Sequence, residues 1–208
     1  MSRDVSQEVS PERPDEGMQA PRRASVSLML AHPAHVLAFG AGSGLSPIAP
    51  GTVGTLWGWV SFLVMQQALA SRWSGPLLDV AWALILALGW LLGCWACTRT
   101  AQAMRVADPG SVVFDEIWAF WLVLWLMSPV DVVGQVLAFV AFRFFDAVKP
   151  GPVGWADRLF KPVPGQPIGW GQGVGIMFDD LVAAACTLFV LALAVVVRQG
   201  GVTAGVLG

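Results

Sequence analysis

The sequence predicts an all-α integral membrane protein, and both its composition and the length of its apolar runs indicate this fold class. Of the 208 residues, 56% are hydrophobic and only 12% are charged, whereas an ordinary soluble domain has about 25% charged residues. The chain also contains eleven Trp, eleven Phe and no Tyr, and Trp collects at membrane interfaces. We therefore expect one compact membrane domain over residues 26–198, between a tail at 1–25 and a short tail at 199–208.

Apolar runs along the chain predict about four to five membrane helices. A full crossing takes about 20 residues, and two of the runs are shorter, so we expect residues 117–127 and 132–145 to pair as a tight helical hairpin. The segment 26–39 is interrupted by Pro33 and predicts an interfacial or re-entrant helix. The remaining runs cover residues 53–69, 77–97 and 181–197.

The polar N-terminal tail and the few Cys and His residues predict no site of their own. Residues 1–25 are polar and contain three prolines, a composition that cannot build an apolar core, so we expect disorder there. Cys94 and Cys97 lie within an apolar run without a second pair, which favours buried thiols over a redox or metal pair. His32 and His35 are interpreted as structural or interfacial residues rather than metal ligands.

The positions of Lys and Arg predict the orientation in the membrane. If the N-terminus is cytoplasmic, ten of the twelve basic residues fall on the cytoplasmic side, and only Arg72 and Arg198 lie on the other. The positive-inside rule therefore favours a cytoplasmic N-terminus. The same topology brings three acidic sites and the glycine-rich segment 40–55 to the cytoplasmic face.

Acidic residues beside membrane-spanning segments are costly and indicate function by default. Five carboxylates at one membrane face predict a site for a hard, oxygen-liganded cation such as Mg²⁺. These residues are Asp115, Glu116, Asp146, Asp179 and Asp180.

Helix capping is an alternative explanation for two of the acidic pairs. The pairs 115–116 and 179–180 precede or open apolar runs, and acids in a first helical turn interact favourably with the helix dipole by about 0.3–1 kcal/mol. Asp146 differs, because it closes its run, where the dipole opposes a negative charge. Only a cation or Arg143 explains Asp146.

Two basic residues and a glycine-rich segment are candidates for binding phosphate. Arg143 and Lys149 lie near one helix face with Asp146. Arg forms bidentate contacts to phosphate oxygens, whereas Lys acts as a point charge. The alternative is an Arg143–Asp146 ion pair with a lysine that extends to the interface.

The segment 42–55 carries three hydroxyl side chains, Ser46, Thr52 and Thr55. Its glycines permit close approach of backbone N–H groups, and the positive end of the helix that begins near Val53 could hold a phosphate. The Gly-Lys-Ser/Thr of a P-loop is missing, and the alternative is a simple turn between two membrane helices.

Four motifs follow one another along the chain: Gly44-Leu-Ser-Pro-Ile-Ala-Pro-Gly-Thr-Val-Gly-Thr55, Val113-Phe-Asp115-Glu116, Phe142-Arg143-Phe-Phe-Asp146-Ala-Val-Lys149-Pro150 and Gly175-Ile-Met-Phe-Asp179-Asp180. In this order they resemble the phosphatidylglycerophosphatase A family, over nearly the whole chain except the two tails. Two departures affect loop geometry: the stretch 158–174 looks longer than the family's usual linker, and Gln172 stands where the family tends to have a glycine. The acidic positions are intact.

The resemblance implies a Mg²⁺-dependent phosphatase of the bacterial inner membrane with its active site on the cytoplasmic face. It would hydrolyse phosphatidylglycerophosphate to phosphatidylglycerol and phosphate, in phosphatidylglycerol and cardiolipin synthesis. The five carboxylates would bind one or two Mg²⁺ and act in catalysis with Arg143, while Ser46, Thr52, Thr55 and Lys149 would contact the phosphate. Attack by water and attack by a carboxylate both stay open. The expected partners are the lipid substrate and the bilayer, with no nucleic acid.

Three other classes of protein fit the sequence less well. An ion-coupled transporter also uses intramembrane acids and broken helices, but it predicts acids near the middle of the bilayer, whereas here they lie at the ends of the predicted spans. A CDP-alcohol phosphotransferase would show a spaced Asp-Gly…Ala-Arg…Gly…Asp…Asp pattern, which this chain does not contain. A purely structural membrane protein leaves the clustered charges unexplained.

Overall fold

A computed structural model describes residues 20–160 and 167–206, with side chains up to Gln199. All regular elements within these ranges are helical, which confirms the predicted all-α class. The expected disorder of the N-terminal tail falls mostly on residues 1–19, outside the described part. The helices are α1 (Val26–Leu30), α2 (Pro33–Ala38), a 3₁₀ segment (Gly40–Leu45), α3 (Pro50–Ala70), α4 (Pro76–Met104), α5 (Phe114–Met127), α6 (Val132–Val148), α7 (Pro152–Leu159) and α8 (Trp170–Val206).

The N-terminal segment is broken where its proline predicts. Helix α1 ends at Leu30, and α2 begins at Pro33, which is tolerated in a first turn because its missing N–H has no helical partner there. The His32 Nδ1 accepts a hydrogen bond from the Ala34 N–H at 3.1 Å and caps α2. His35 is buried, and its Nδ1 lies 2.9 Å from Thr100 Oγ1. This contact joins α2 to α4 and confirms the structural role of His35.

Two helices of the described chain, α4 and the part of α8 from Trp170 to Gln199, are long and apolar enough to cross a membrane. Large apolar side chains remain exposed along both, including Leu88 on α4 at 59% and Phe189 on α8 at 70%. An apolar surface of this kind suits contact with lipid better than contact with water. The thiols of Cys94 and Cys97 are buried and free, as predicted.

Helix α5 is the centre of the bundle and packs against α3, α4 and α8. Its inner face contributes Phe120, Val123 and Leu124 to the core. The short connection from residue 128 to 131 leads into α6, where the Asp131 side chain accepts a 2.8 Å hydrogen bond from the Gly134 N–H. The two helices are therefore joined by a short turn as predicted, and Phe120 of α5 packs against Phe139 and Phe142 of α6.

Indole N–H groups connect α5 to its neighbours inside the apolar bundle. Trp118 Nε1 donates to the Leu86 carbonyl of α4 at 2.8 Å, and Trp121 Nε1 donates to the Gly58 carbonyl of α3 at 2.9 Å. A buried indole N–H requires such a partner. These bonds hold the first turns of α5 in a defined position, which matters because that end carries the acidic pair.

The capping explanation for Asp179 and Asp180 is wrong, because α8 begins at Trp170 and the pair does not lie in its first turn. Glycines before the pair suggest a loop by composition, yet they lie inside the helix and allow close packing. A Cβ at Gly173 would overlap the Cys94 carbonyl and Thr98 Oγ1 of α4, and a Cβ at Gly175 would overlap Phe160. The two aspartates therefore lie well inside α8, where capping does not explain them.

Candidate active site

Three carboxylates from two helices meet near the end of the bundle where α5 begins. Asp115 and Glu116 lie in the first turn of α5, and Asp180 lies on α8, which packs against α5. One carboxylate oxygen from each residue lies within 4.8 Å of the other two. Residues 65 positions apart in the chain thus form one cluster of oxygen atoms. We call Asp115, Glu116 and Asp180 the carboxylate cluster.

The carboxylate cluster contains polar atoms that the described protein leaves unsatisfied. Asp115 Oδ1, Glu116 Oε2 and Asp180 Oδ2 are buried and have no hydrogen-bond partner among the described residues. Burying a carboxylate oxygen without a partner is costly, and neighbouring carboxylates repel one another. A hard divalent cation bound by oxygen would remove both costs. The residues present therefore fit a cation of this kind.

The helix dipole explains part of this arrangement and not the rest. Asp115 and Glu116 lie in the first turn of α5, so the positive end of the helix stabilises their charges. Asp180, inside α8, gains nothing from a helix end, although it is 97% buried. Capping alone therefore leaves the most buried member of the cluster without compensation.

Arg143 on α6 lies beside the cluster and contacts two acids. Its Nη1 pairs with Asp146 Oδ2 and lies 3.8 Å from Glu116 Oε1. The same nitrogen lies 3.4 Å from Thr55 Oγ1 on α3. Asp146 thus compensates for its position at the unfavourable end of α6 by pairing with Arg143, the alternative that the sequence left open.

Asp179 belongs to a second group of charges next to the carboxylate cluster. It pairs with Lys149 Nζ, which also donates to Asp157 Oδ1 at 2.6 Å. Burial by itself lowers the pKa of Lys149, but its hydrogen bonds with Asp157 and Asp179 outweigh burial and raise the pKa above its ordinary value. Lys149 is therefore a permanent cation. Because Asp179 and Asp180 are consecutive, the two groups are adjacent.

Asp157 on α7 was not among the candidate residues from the sequence. A turn through Pro150 and Pro152 leads from α6 to α7 and brings Asp157 back to Lys149, eight residues earlier. An acidic and a basic residue on either side of such a turn indicate an ion pair, because the turn reverses the chain and brings them together.

The glycine-rich segment reaches the cluster through the start of α3. A Cβ at Gly51 would overlap Glu116 Oε1 and lie 3.2 Å from both terminal nitrogens of Arg143. Only glycine permits this approach. The N-terminal end of α3, a helix of 21 residues, therefore contributes its positive end to the site.

The predicted hydroxyl residues differ in how near they come to the site. Thr55 is fully buried, and its Oγ1 donates to the Gly51 carbonyl at 2.9 Å and lies next to Arg143. Ser46 Oγ donates to the Ile48 carbonyl at 2.8 Å, within its own turn. Thr52 is half-buried in the first turn of α3. Thr55 thus supports Arg143, while Ser46 stabilises the turn before α3.

The fold and the site define a helical protein with a carboxylate cluster and a half-buried arginine at one end of its bundle. Residues 36–195 match the family model described as Phosphatidylglycerophosphatase A. The chain belongs to the phosphatidylglycerophosphatase A family, as the four motifs predict, and it is an enzyme of the phosphatase class. This membership gives no support to the transporter alternative.

Curated relatives cover most of the chain. Phosphatidylglycerophosphatase A of Escherichia coli strain K12 is 36% identical over 179 residues, which cover 82% of this chain and 90% of the relative. Phosphatidylglycerophosphatase A of Haemophilus influenzae is 34% identical over 164 residues, with 79% and 90% covered. A putative phosphatidylinositol-3-phosphatase of Bacteroides thetaiotaomicron is 32% identical over 160 residues, with 74% and 89% covered. No solved structure matches the chain at a significant level.

Proposed function

We propose that this chain is a membrane-bound, Mg²⁺-dependent phosphatase that hydrolyses phosphatidylglycerophosphate to phosphatidylglycerol and phosphate. The observation that carries the proposal is the carboxylate cluster, whose three buried oxygens have no partner among the described residues and lie beside Arg143. Oxygen-only ligands are those that Mg²⁺ prefers. A phosphate that binds next to these carboxylates needs such a cation, because the negative charges would otherwise repel one another.

The choice of substrate rests on the names of the relatives. Two of them are named as phosphatidylglycerophosphatases, and a third is named as a putative phosphatase of a phosphorylated inositol lipid. A phosphate monoester on the polar end of a membrane lipid is common to both substrates. We assign phosphatidylglycerophosphate as the substrate because the family whose model matches residues 36–195 is described by that activity.

The site residues divide the work of binding and positioning the phosphate. Mg²⁺ held by Asp115, Glu116 and Asp180 would neutralise the phosphate and polarise its bonds to oxygen. Arg143 forms bidentate contacts to the remaining phosphate oxygens. Its side chain is already oriented by Asp146 and Thr55, so little conformational entropy is lost on binding.

Three further groups surround the proposed position of the phosphate. The positive end of α3 approaches the cluster at Gly51, and the Thr52 hydroxyl of the same turn would contact the phosphate. Lys149 stays charged between Asp157 and Asp179 and contributes positive potential at the border of the site. Ser46 acts through the turn that places α3.

The reaction breaks the bond between phosphorus and the glycerol oxygen, which takes a proton as it leaves. The attacking group is water or one of the carboxylates, which would then pass through an aspartyl-phosphate that water hydrolyses. Both routes use the same contacts to the phosphate. Asp146 and Asp179, which hold Arg143 and Lys149, position the basic residues in either route.

We propose a multi-pass location in the bacterial inner membrane, with the N-terminus and the active site on the cytoplasmic face. The apolar surfaces of α4 and α8 support insertion, and the excess of Lys and Arg near the site supports this orientation. The acyl chains of the substrate then stay within the bilayer while its phosphate reaches the carboxylate cluster at the interface.

Phosphate release from three substrates by the purified protein with Mg²⁺ tests the assignment. We expect rapid release from phosphatidylglycerophosphate, slow release from phosphatidylinositol 3-phosphate and little from soluble glycerol phosphate. A preference for the inositol lipid would contradict the substrate, and equal rates on the soluble ester would contradict a lipid phosphatase. Release from none of the three, with solute uptake into proteoliposomes, would favour transport.

A further inference from the structure

An apolar cavity of about 500 Å³ lies between α2, α3 and α5, on the side of α5 away from the carboxylate cluster. Its volume falls within the range of about 300–1,000 Å³ typical of ligand pockets. The 3₁₀ segment forms one edge, where Gly40 and Ala41 both adopt positive φ angles of 53° and 54°. The walls are built mainly by Val36, Leu37, Trp57, Ile117 and Trp121.

The cavity begins at the same level of α5 as the carboxylate cluster. Phe114 and Ile117 line the cavity, and between them in the chain Asp115 and Glu116 belong to the cluster. From Phe114 to Trp121 the cavity follows α5 for seven residues, or about 10 Å at 1.5 Å per residue. It therefore extends from the acidic end of the bundle along the helix, toward the apolar interior.

One short segment borders both the cavity and the site. Gly40 and Ala41 line the cavity, and Gly51 at the start of α3 lies against Glu116 and Arg143. Because the cavity and the cluster occupy different faces of α5, a molecule that reaches both passes over the first turn of that helix. A phospholipid has this form, since a short glycerol bridge separates its phosphate from its chains.

The chemistry of the cavity selects an acyl chain as its occupant. Its one imidazole, that of His32, already accepts a hydrogen bond from the Ala34 N–H through Nδ1. The mouth lies beside Leu30, which is 69% exposed, and Trp57, which is 44% exposed. These side chains face the bilayer if the protein is embedded as proposed. The second ring nitrogen of His32 is the main polar group that the lining offers, so a polar ligand would lose more hydration there than it regained in hydrogen bonds.

We propose that this cavity binds one acyl chain of the lipid substrate and thereby positions the headgroup over the first turn of α5. The inference rests on the proposed function, and it adds a site that selects chain length. A substrate with long chains gains binding energy from each methylene group buried in the cavity. A substrate with short chains reaches the same carboxylates without this gain.

Filling the cavity tests the proposal. Val36→Trp places an indole in the cavity from α2 without touching the carboxylate cluster, and Val80→Trp adds the same side chain on an exposed site of α4 as a control. We expect Val36→Trp to lower kcat/KM for dihexadecanoyl phosphatidylglycerophosphate about tenfold, the effect of excluding about two methylene groups. The dihexanoyl substrate should be hydrolysed at the wild-type rate by both variants.

An equal loss on both substrates, or no loss on either, would overturn the proposal. A second measurement does not depend on turnover or on the folding of the variant. A phospholipid with a photoreactive group in its acyl chain should label wild-type peptides that contain Ile117 and Trp121. Labelling confined to the outer faces of α4 and α8 would show that the cavity holds no chain. If labelling occurs as expected but no phosphate is released, the proposed function fails and the lipid site stands.

Discussion

Asp180 lies inside α8 and is 97% buried, and its Oδ2 lacks a hydrogen-bond partner among the described residues. Asp115 Oδ1 and Glu116 Oε2 share this condition. Each of these residues alone would be an expensive burial of charge. Together, within 4.8 Å of one another, their oxygens form a preorganised cluster whose mutual repulsion a bound cation would relieve.

Replacing Asp180 with Asn should separate function from stability. Replacing a residue that hydrogen-bonds to a metal ligand commonly lowers metal affinity or activity about 10–100-fold. We therefore expect loss of a proposed ligand itself to lower phosphate release more than about 100-fold. With Mg²⁺ removed by a chelator, the same variant should unfold at a higher temperature than the wild type, because one repelling charge is gone. Both quantities can be measured on the purified protein.

Asp79→Asn is the matched control for that substitution. Asp79 lies in the first turn of α4, where its Oδ1 is 3.4 Å from Trp125 Nε1. Its replacement should leave phosphate release near the wild-type rate. Wild-type activity in Asp180→Asn, or an equal loss in both variants, would remove Asp180 from the site.

Replacing Arg143 with Lys tests whether the geometry of its contacts with the phosphate matters in addition to its charge. Lys at this position keeps the positive charge but loses bidentate contact with a phosphate. We expect Arg143→Lys to reduce kcat/KM roughly 10–100-fold, which corresponds to about 1.4–2.7 kcal/mol of transition-state stabilisation. Steady-state kinetics on phosphatidylglycerophosphate would measure it. An unchanged kcat/KM would mean that Arg143 serves only as the partner of Asp146.

The types of residue at the site and the pairing of Arg143 with Asp146 were predictable, whereas the partners of Lys149 were not. An acid at the end of a helix, such as Asp146, signals a partner, and Arg143 three residues before it supplies one. Lys149 was predicted to contact phosphate, but it contacts Asp157 and Asp179. Such contacts depend on how α7 folds back on α6 and α8, which local sequence does not encode.

Helix α8 shows that tertiary packing can outweigh low helix propensity. Glycines at 171, 173 and 175 weaken helix propensity and resemble a loop in the sequence. Gly173 and Gly175 instead let α8 approach α4 and Phe160 closely. The gain from that contact keeps the segment helical, and the helix thereby carries Asp180 to the first turn of α5.

A matched pair of glycine substitutions measures this contact. A Cβ at Gly173 meets backbone and side-chain atoms of α4, whereas a Cβ at Gly171 meets nothing within 4 Å. Overpacking typically costs about 1–3 kcal/mol, so Gly173→Ala should lower the unfolding temperature and also reduce activity. Gly171→Ala should leave both unchanged or raise stability slightly. Equal behaviour of the two variants would contradict close packing of α8 on α4.

At the scale of the whole molecule, the fold class and the family could be derived from the sequence. Low charge and long apolar runs predict a helical membrane bundle, and the paired runs around Pro129 predict the hairpin of α5 and α6. Helix lengths were less predictable, since α4 continues to Met104 and α8 begins at Trp170. Both extensions are polar enough to escape an apolar pattern, yet each is held by its neighbours.

The buried His35 of α2 should make the stability of the folded protein depend on pH. Burial of His35, followed by the nearby charges of His32 and Arg99, lowers the pKa of its imidazole from 6.5. Neutral His35 is therefore favoured in the folded protein, and its contribution to stability is complete above about pH 6.5 and is lost as the pH falls through the lowered value. Unfolding temperatures at about pH 7.5 and about pH 5.5 would measure this loss.

His35→Gln provides the comparison, because it keeps a polar side chain that does not titrate. The fall in unfolding temperature between the two pH values should be smaller in this variant than in the wild type. An equal fall in both proteins would assign the pH dependence to other groups and leave the contact with Thr100 without a role in it.

We propose that the carboxylate cluster holds a divalent cation that hydrolysis of the lipid phosphate requires. The most direct measurement is phosphate release from phosphatidylglycerophosphate by the wild-type protein, after chelation and again after Mg²⁺ is restored. We predict that activity disappears on chelation and returns with Mg²⁺, while Asp180→Asn stays inactive in both conditions. Full activity of the chelated wild-type protein would contradict the account.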